Sequence, residues 1–171
     1  GNRAATSKSG SSDVLNRLGV KIDAPPERLR ACLRELGIVF LFAPSFHPGL
    51  RGVAQVRRSL PFRTIFNFAG PLCNPARPAY QIVGVPRGDH AHRMALALAS
   101  MPSIERAIVV TGADGLDEVS LDGPTTVRVV EAGSIREQSW TNEDFGLGRV
   151  VADELKVSSP EQSAEALKSL F

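Results

Sequence analysis

The sequence lacks the features that mark membrane, secreted and nucleic-acid-binding proteins. No apolar run approaches the ~20 residues needed to cross a bilayer, and the polar first stretch has no apolar signal-peptide segment. Its 20 basic and 18 acidic residues leave a net charge of +2. That balance gives no electrostatic reason for binding nucleic acid or an anionic membrane. We therefore expect a cytoplasmic protein with neither of these partners.

Cysteine and histidine are scarce, and this limits the chemistry. The two cysteines, Cys32 and Cys73, form neither a disulfide framework nor a metal-ligand spacing, so reduced thiols are expected. His47 lies at a turn, and His90 and His92 are expected to be exposed on a helix. None of the three has a second ligand at a metal-binding spacing. Since a nucleophile elbow, a catalytic triad and a P-loop are also absent, no side chain stands out as a general base or nucleophile.

Apolar residues make up 43% of the 171 residues and charged residues 22%, which is ordinary for a globular domain. Helical and strand-like patterns alternate along the chain. Helices are expected from Ser11 or Ser12 to Leu18, from Pro25–Pro26 to Gly37, from His47–Pro48 to about Leu60, over 89–101 and, after Ser159–Pro160, over 161–170. Strands are expected over 38–42, 81–85, 107–110, 125–130 and 134–140, the last two forming a hairpin at Ala132–Gly133. The pattern predicts an α/β fold, with a mainly parallel central sheet flanked by helices and antiparallel strands toward the C-terminus.

The first residues have the composition of a phosphate-binding segment. Small residues between Gly1 and Ser11 would let backbone N–H groups approach a ligand, Arg3 and Lys8 add positive charge, and a helix begins directly afterwards. A flexible, solvated segment would have the same composition. The residues alone leave these two interpretations open.

Arg57 falls on the wrong side of its predicted helix. At ~100° per residue, it lies among Leu50, Val53 and Leu60 on the apolar side. A guanidinium directed toward a core needs a partner, and its planar fork suits a carboxylate. That partner is either an internal Asp or Glu or the carboxylate of a substrate.

Three carboxylates follow a predicted buried strand in the segment Asp114–Glu118. Ligands bind near the C-terminal ends of parallel strands in α/β enzymes, and adjacent Asp and Glu can hold Mg²⁺ while leaving room for phosphate oxygens. A solvated acidic turn is the alternative. We expect this loop, the opening segment and the Gly70–Pro71 turn to converge on one edge of the sheet.

Several stretches resemble the motifs of one family and follow its order along the chain: Gly1–Ser11, Phe40–Pro44 with His47–Pro48, Val56–Arg58, Arg63–Asn67 with Gly70–Pro75, and Asp114–Glu118. Together they are similar to the anthranilate phosphoribosyltransferases, whose fold is shared with the pyrimidine nucleoside phosphorylases. The resemblance implies a nucleoside phosphorylase/phosphoribosyltransferase-like fold. It also implies transfer of a phosphoribosyl group from phosphoribosyl pyrophosphate (PRPP) to anthranilate, in tryptophan biosynthesis.

The resemblance also implies a role for individual residues. PRPP would contact residues of the opening segment and the first helix: Gly1, Asn2, Arg3, Ala4, Ala5, Thr6, Ser7 and Ser11. Anthranilate would contact Asn2 and, through its carboxylate, Arg57, in a channel bordered by His47, Gly70 and Pro71. Asp117 and Glu118 would hold Mg²⁺. No residue is assigned as a catalytic acid or base, and the full-length enzyme would be a homodimer.

Some of the family's segments have no counterpart in the sequence. The Gly-Thr-Gly-Gly-Asp pyrophosphate loop is missing, as is most of the small helical domain. We therefore expect residues 1–171 to form a single α/β phosphoribosyltransferase domain that is truncated at both ends and inactive alone. Two alternatives remain. A pyrimidine nucleoside phosphorylase is disfavoured by the Asp114–Glu118 loop and by the segment that runs from Val56–Arg58 to Gly70–Leu72. A non-catalytic nucleic-acid-binding relative is disfavoured by the balanced charge and by the retained carboxylates.

Overall fold

The computed structural model describes residues 9–50, 52, 60 and 64–170. The chain divides into two compact units. The first is Gly1–Pro61 with Val157–Phe171, and the second is Phe62–Lys156. The organisation of residues 1–171 as one domain stays a prediction. No helix in the described ranges is long and apolar enough to cross a membrane.

Five α-helices and four strands are described. The helices are α1 Ser11–Arg17, α2 Pro26–Leu36, α3 Ala43–Phe46, α4 Gly88–Ala99 and α5 Pro160–Lys168. The strands are β1 Tyr80–Gly84, β2 Arg106–Gly112, β3 Thr125–Glu131 and β4 Ser134–Trp140. Short 3-10 turns span Pro48–Leu50, Ile65–Asn67, Pro71–Cys73, Asn142–Phe145 and Ala152–Leu155.

The helix ends in the first unit follow local chemistry with one exception. Pro26 begins α2 and Gly37, with φ of 73°, ends it, as predicted. Ser159 and Pro160 begin α5, as predicted, and the Ser159 hydroxyl caps it by accepting a 3.2 Å hydrogen bond from the Gln162 amide. The sequence pattern predicts Ser11 or Ser12 as the cap of α1, and this is wrong, because Gly10 occupies the N-cap position without a side-chain bond. Ser12 is instead fully buried inside this unit.

The strand predicted over 38–42 is wrong. These residues have no regular secondary structure and pair with no strand of the described sheet, and Ile38 is 73% exposed. An apolar run of this length fits a strand, a helix segment or an extended connection, and only a neighbouring strand decides for the first. Phe42 instead precedes the short helix α3, which the sequence did not predict. The helix predicted from 48 to 60 begins with the turn Pro48–Leu50, and most of it lies outside the described residues.

A four-stranded sheet in the order β1-β2-β3-β4 forms the second unit. β1 pairs with β2 in parallel, while β2 with β3 and β3 with β4 are antiparallel. The α/β class and the antiparallel C-terminal hairpin are thus confirmed, and the β1–β2 pair is the parallel part of the described sheet. α4 connects β1 to β2 across one face, which is the usual connection of neighbouring parallel strands.

The two faces of this sheet have different coverings. One face packs against α4 through a core that contains Val83, Ala95, Leu98, Val109 and Val130, each at most 4% exposed. The other face has a smaller buried cluster of Val110, Val127 and Val129. Val119, from the connection between β2 and β3, packs against this second cluster. That connection, which contains the acidic motif Asp114–Glu118, therefore packs against the sheet.

Candidate functional site

Much of the predicted ligand site lies outside the described residues. This applies to Gly1, Asn2, Arg3, Ala4, Ala5, Thr6, Ser7 and Arg57, whose roles stay predictions. Two further predicted contacts are described in the first unit. Ser11 is exposed at the first position of α1, and His47 is half-buried directly after α3.

Asp117 and Glu118 lie in the connection between β2 and β3, beyond the C-terminal end of parallel strand β2. Both side chains are exposed. Neither carboxylate has an ion-pair partner among the residues that the structure describes. The two carboxylates are therefore available to a ligand, at the end of a parallel strand where α/β enzymes bind theirs.

A hydrogen-bonded core holds this exposed connection in place. The buried Ser120 hydroxyl donates a 2.5 Å hydrogen bond to Asp114 Oδ2. Asp114 Oδ1 accepts a 3.0 Å bond from the Leu116 amide, and the Ser120 amide donates a 2.9 Å bond to Thr125 Oγ1. These bonds close the chain on both sides of Asp117 and Glu118. The carboxylates are thus carried on a fixed backbone.

Two glycines at the strand ends let the connection lie against the sheet. A Cβ at Gly84, the last residue of β1, would stand 1.6 Å from the carbonyl oxygen of Asp117. At Gly112, the last residue of β2, it would stand 2.4 Å from Asp114 Oδ1. Both distances are far below van der Waals contact. Only glycine at 84 lets the Asp117 backbone sit this close to β1, a role that glycine within a strand often has.

Within the same connection, Asp122 joins it to the segment that follows β4. Asp122 Oδ1 accepts from the Arg149 Nε at 2.9 Å, and Oδ2 accepts from the Ala152 amide at 3.2 Å. The Ala152 N–H, and after it the Arg149 guanidinium, lower the pKa of the Asp122 carboxyl below its ordinary value. Asp122 therefore stays charged at physiological pH and serves as an anchor.

The structure does not bring the Gly70–Pro71 turn and Asp117 together. The Pro71 carbonyl accepts a 2.8 Å bond from Gln81 Nε2, on the α4 side of β1. Asp117 instead lies over Gly84, on the opposite face and at the far end of the strand. Next to Pro71 is an open recess of about 480 Å³, with Leu72, Gln81, Met101 and Ile104 in its wall.

The two cysteines, and the histidines other than His47, form no candidate binding site among the described residues. Cys32 is half-buried and Cys73 exposed, and both are free thiols, as predicted. His92 is exposed as predicted, whereas His90 is half-buried and packs edge-on against Phe68, with ring centres 4.5 Å apart. Over 9–50, 52, 60 and 64–170 no group of three or more His, Cys, Asp or Glu could hold a metal.

Asp117 and Glu118 nevertheless fit the cation that the sequence predicts. Mg²⁺ is bound through one or two carboxylates together with waters and substrate phosphates, so a cage of protein ligands is not needed. Two adjacent, exposed carboxylates on a backbone that is held by hydrogen bonds provide such a donor set. The acidic motif marks this pair in the sequence, but Gly84 and Ser120 were missed. A glycine among the β-branched residues of β1 was the available signal for Gly84.

The whole chain, residues 1–171, matches the model of the glycosyl transferase family, a/b domain, and the chain belongs to that family. Among curated proteins it is 47% identical to the anthranilate phosphoribosyltransferase of Thermomicrobium roseum over 174 aligned residues, covering 100% of the chain and 50% of that protein. It is 46% identical to the same enzyme from Rubrobacter xylanophilus, again over 100% of the chain and 50% of the relative. The chain thus spans about half the length of these relatives.

Solved structures of the same enzyme from Saccharomyces cerevisiae are also similar. The complex with PRPP and Mg has a TM-score of 0.84 at 30% identity and covers 100% of this chain and 47% of the yeast chain. The complex with 4-fluoroanthranilate has a TM-score of 0.85 at 28% identity, covering 95% of this chain and 46% of the yeast chain. The fold and the family therefore agree with the resemblance seen in the sequence motifs.

Proposed function

We propose that the full-length protein containing this chain transfers the phosphoribosyl group of PRPP to the amine of anthranilate, in tryptophan biosynthesis. The products are N-(5-phosphoribosyl)anthranilate and pyrophosphate. The names of the relatives support this reaction, and the family resemblance adds Mg²⁺, a homodimer and a cytoplasmic location to the proposal. The chain by itself lacks the family's pyrophosphate loop and is expected to be inactive.

One observation in the structure supports the proposal above all. Asp117 and Glu118 are exposed at the end of β2, on a backbone that the hydrogen bonds of Asp114 hold in place. Bound there, Mg²⁺ would neutralise charge on the leaving pyrophosphate. The opening segment Gly1–Ser7 and Ser11 would bind the phosphates of PRPP through backbone amides and hydroxyls. These contacts would place the anomeric carbon of the ribose within reach of the second substrate.

Anthranilate would be held by its carboxylate, through two parallel hydrogen bonds from the Arg57 guanidinium, and by Asn2. The family resemblance implies that His47, Gly70 and Pro71 would border its path. Its amine would attack the anomeric carbon as the bond to pyrophosphate breaks, and the nitrogen would then lose its proton to solvent. An aromatic amine is already neutral at physiological pH, so positioning is the main contribution of the side chains.

Two variants of the full-length enzyme test the two halves of this site. In the first, Asp117→Asn with Glu118→Gln should weaken Mg²⁺-dependent PRPP binding by about a hundredfold, because lost metal ligands matter at least as much as supporting residues, whose loss costs ~10–100-fold. Titration calorimetry measures this change. Asp153→Asn with Glu154→Gln removes the same charges from another exposed Asp-Glu pair and is the matched control. Unchanged binding in the first variant would exclude this metal site.

The second variant, Arg57→Ala, tests the anthranilate half. It should raise the KM for anthranilate about ten- to a hundredfold, since a charge-assisted carboxylate contact contributes ~1.5–3 kcal/mol. Arg57→Lys should recover only part of the loss, because lysine cannot make the two-point contact. PRPP affinity and the melting temperature should change little. A variant that melts far below the wild type with unaltered anthranilate kinetics would show that Arg57 pairs with an internal carboxylate.

A further inference from the structure

Ser120 is a buried residue in an otherwise exposed connection. It lies two positions after Glu118 and is 1% exposed. A serine hydroxyl can donate one hydrogen bond and accept two. Here it donates to Asp114 Oδ2 and accepts from the backbone amides of Asp122 at 3.0 Å and Gly123 at 3.2 Å. Its full hydrogen-bonding capacity is therefore used to join three separate points of the connection.

Asp114 extends this arrangement to Leu116, the residue directly before the Asp117–Glu118 pair. Its second oxygen accepts from the Leu116 amide at 3.0 Å, and the Leu116 carbonyl accepts from the Gly112 amide at 3.0 Å. Both carboxylate oxygens of Asp114 are thus engaged within the protein. This distinguishes Asp114 from Asp117 and Glu118 in the same motif, whose carboxylates have no such partners in the described residues.

We propose that Ser120 and Asp114 are positioning residues, which fix the backbone that presents Asp117 and Glu118 to the cation. The inference rests on the proposed function, because it assigns these residues to the same site. Asp117 and Glu118 are exposed, so little packing restrains their side chains, and their placement depends on the backbone beneath them. The Ser120–Asp114 bond joins the backbone three residues before Asp117 to the backbone two residues after Glu118, while the Asp117 carbonyl lies against Gly84. Such prior fixing of metal ligands is how supporting residues increase affinity.

The test is the variant Ser120→Ala in the full-length enzyme with Mn²⁺ as the probe. Mn²⁺ affinity is measured by electron paramagnetic resonance in the presence of saturating PRPP. We expect the Mn²⁺ dissociation constant to rise about tenfold, the lower end of the range for supporting residues. In the ligand-free protein, hydrogen exchange at the Leu116 amide should become at least about tenfold faster, since Asp114 is no longer held. Asp114→Asn keeps one acceptor oxygen and should give a smaller loss of affinity.

Val130→Ala is the matched control. Val130 is 1% exposed in the core on the other face of the sheet, beside α4, so its truncation destabilises the unit without touching the connection. It should lower the melting temperature at least as much as Ser120→Ala and leave Mn²⁺ affinity within about twofold. An affinity loss in Val130→Ala equal to that in Ser120→Ala would reduce Ser120 to a structural role.

The remaining outcomes separate this inference from the proposed function. If Asp117→Asn with Glu118→Gln lowers Mn²⁺ affinity while Ser120→Ala and Asp114→Asn do not, the positioning role is overturned and the metal site stands. If none of these variants changes Mn²⁺ affinity, the metal site itself is misassigned and both proposals fall. Should Ser120→Ala not fold, Asp114→Asn decides the question, because Asp114 is exposed and contributes less to packing.

Discussion

The sheet has two connections between antiparallel strands, and they are built differently. β3 and β4 are joined by Ala132 and Gly133 alone, with φ of 47° and 72°, the geometry of a tight hairpin turn. β2 and β3 are joined by residues 113–124, which have no regular structure. They are held by the hydrogen bonds of Ser120 and Asp114 and by the contact of the Asp117 backbone with Gly84. The short turn is fixed by its own backbone angles, whereas the long connection is fixed by contacts with other parts of the unit. Only the long connection carries candidate ligands.

The largest expected effect comes from filling the space beneath the long connection. Gly84→Ala would place a Cβ 1.6 Å from a backbone carbonyl, so residues near Asp117 must move away from β1. We expect a loss of about 3 kcal/mol in the free energy of unfolding, at the upper end for overpacking, together with faster hydrogen exchange over 114–120. Gly133→Ala is the control, since its Cβ meets nothing closer than 3.9 Å and should cost only ~1–2 kcal/mol for the left-handed backbone.

Equal losses in these two glycine variants, measured by urea unfolding, would break the comparison. They would mean that the Asp117 backbone moves away from the added Cβ with no loss in the free energy of unfolding, and that the long connection does not pack against β1. A normal exchange rate at the Leu116 amide in Gly84→Ala would lead to the same conclusion.

A smaller effect is expected at the anchor between the long connection and the segment after β4. Because the pKa of Asp122 is lowered in the folded protein, its charged form adds stability at neutral pH that is lost as pH falls below the ordinary value of 3.8. Asp122→Asn keeps an oxygen for the Ala152 amide but removes the charge that pairs with Arg149. The variant should therefore melt below the wild type at about pH 7, and the difference should shrink at about pH 3.

A melting difference that is constant across this pH range would contradict the anchoring role of the charge. It would assign the effect of Asp122→Asn to packing or to neutral hydrogen bonds, neither of which titrates in that window.

The smallest effect is expected in the hairpin turn. Ala132 adopts a left-handed conformation that costs a residue with a Cβ ~1–2 kcal/mol, and asparagine tolerates it better. Ala132→Asn creates the Asn-Gly pair that such turns favour and should raise the free energy of unfolding by ~0.5 kcal/mol. Hydrogen exchange over 112–125 should not change. A change there would show that the two connections are coupled.

The sequence predicted the local features of this fold well. The hairpin at Ala132–Gly133, the beginning and end of α2 and the beginning of α5 at Ser159–Pro160 each depend on residues a few positions apart. Its failures involve distant partners. The run 38–42 has the composition of a strand but pairs with no strand of the described sheet, and Ser12 is buried where a cap was expected.

The candidate site shows the same division. The acidic motif, the fold class and the family could be recognised from the sequence, because carboxylate identity and motif order are properties of the chain itself. Tertiary structure alone decided that the Asp117 carbonyl lies on Gly84, that Ser120 joins Asp114 to Asp122, and that the Pro71 turn lies on the opposite face of β1. The physical reason is that hydrogen bonding and steric exclusion depend on which residues are neighbours in space. Gly84, at the end of β1, and Asp117, after β2, are 33 positions apart in the sequence and become neighbours only in the folded sheet.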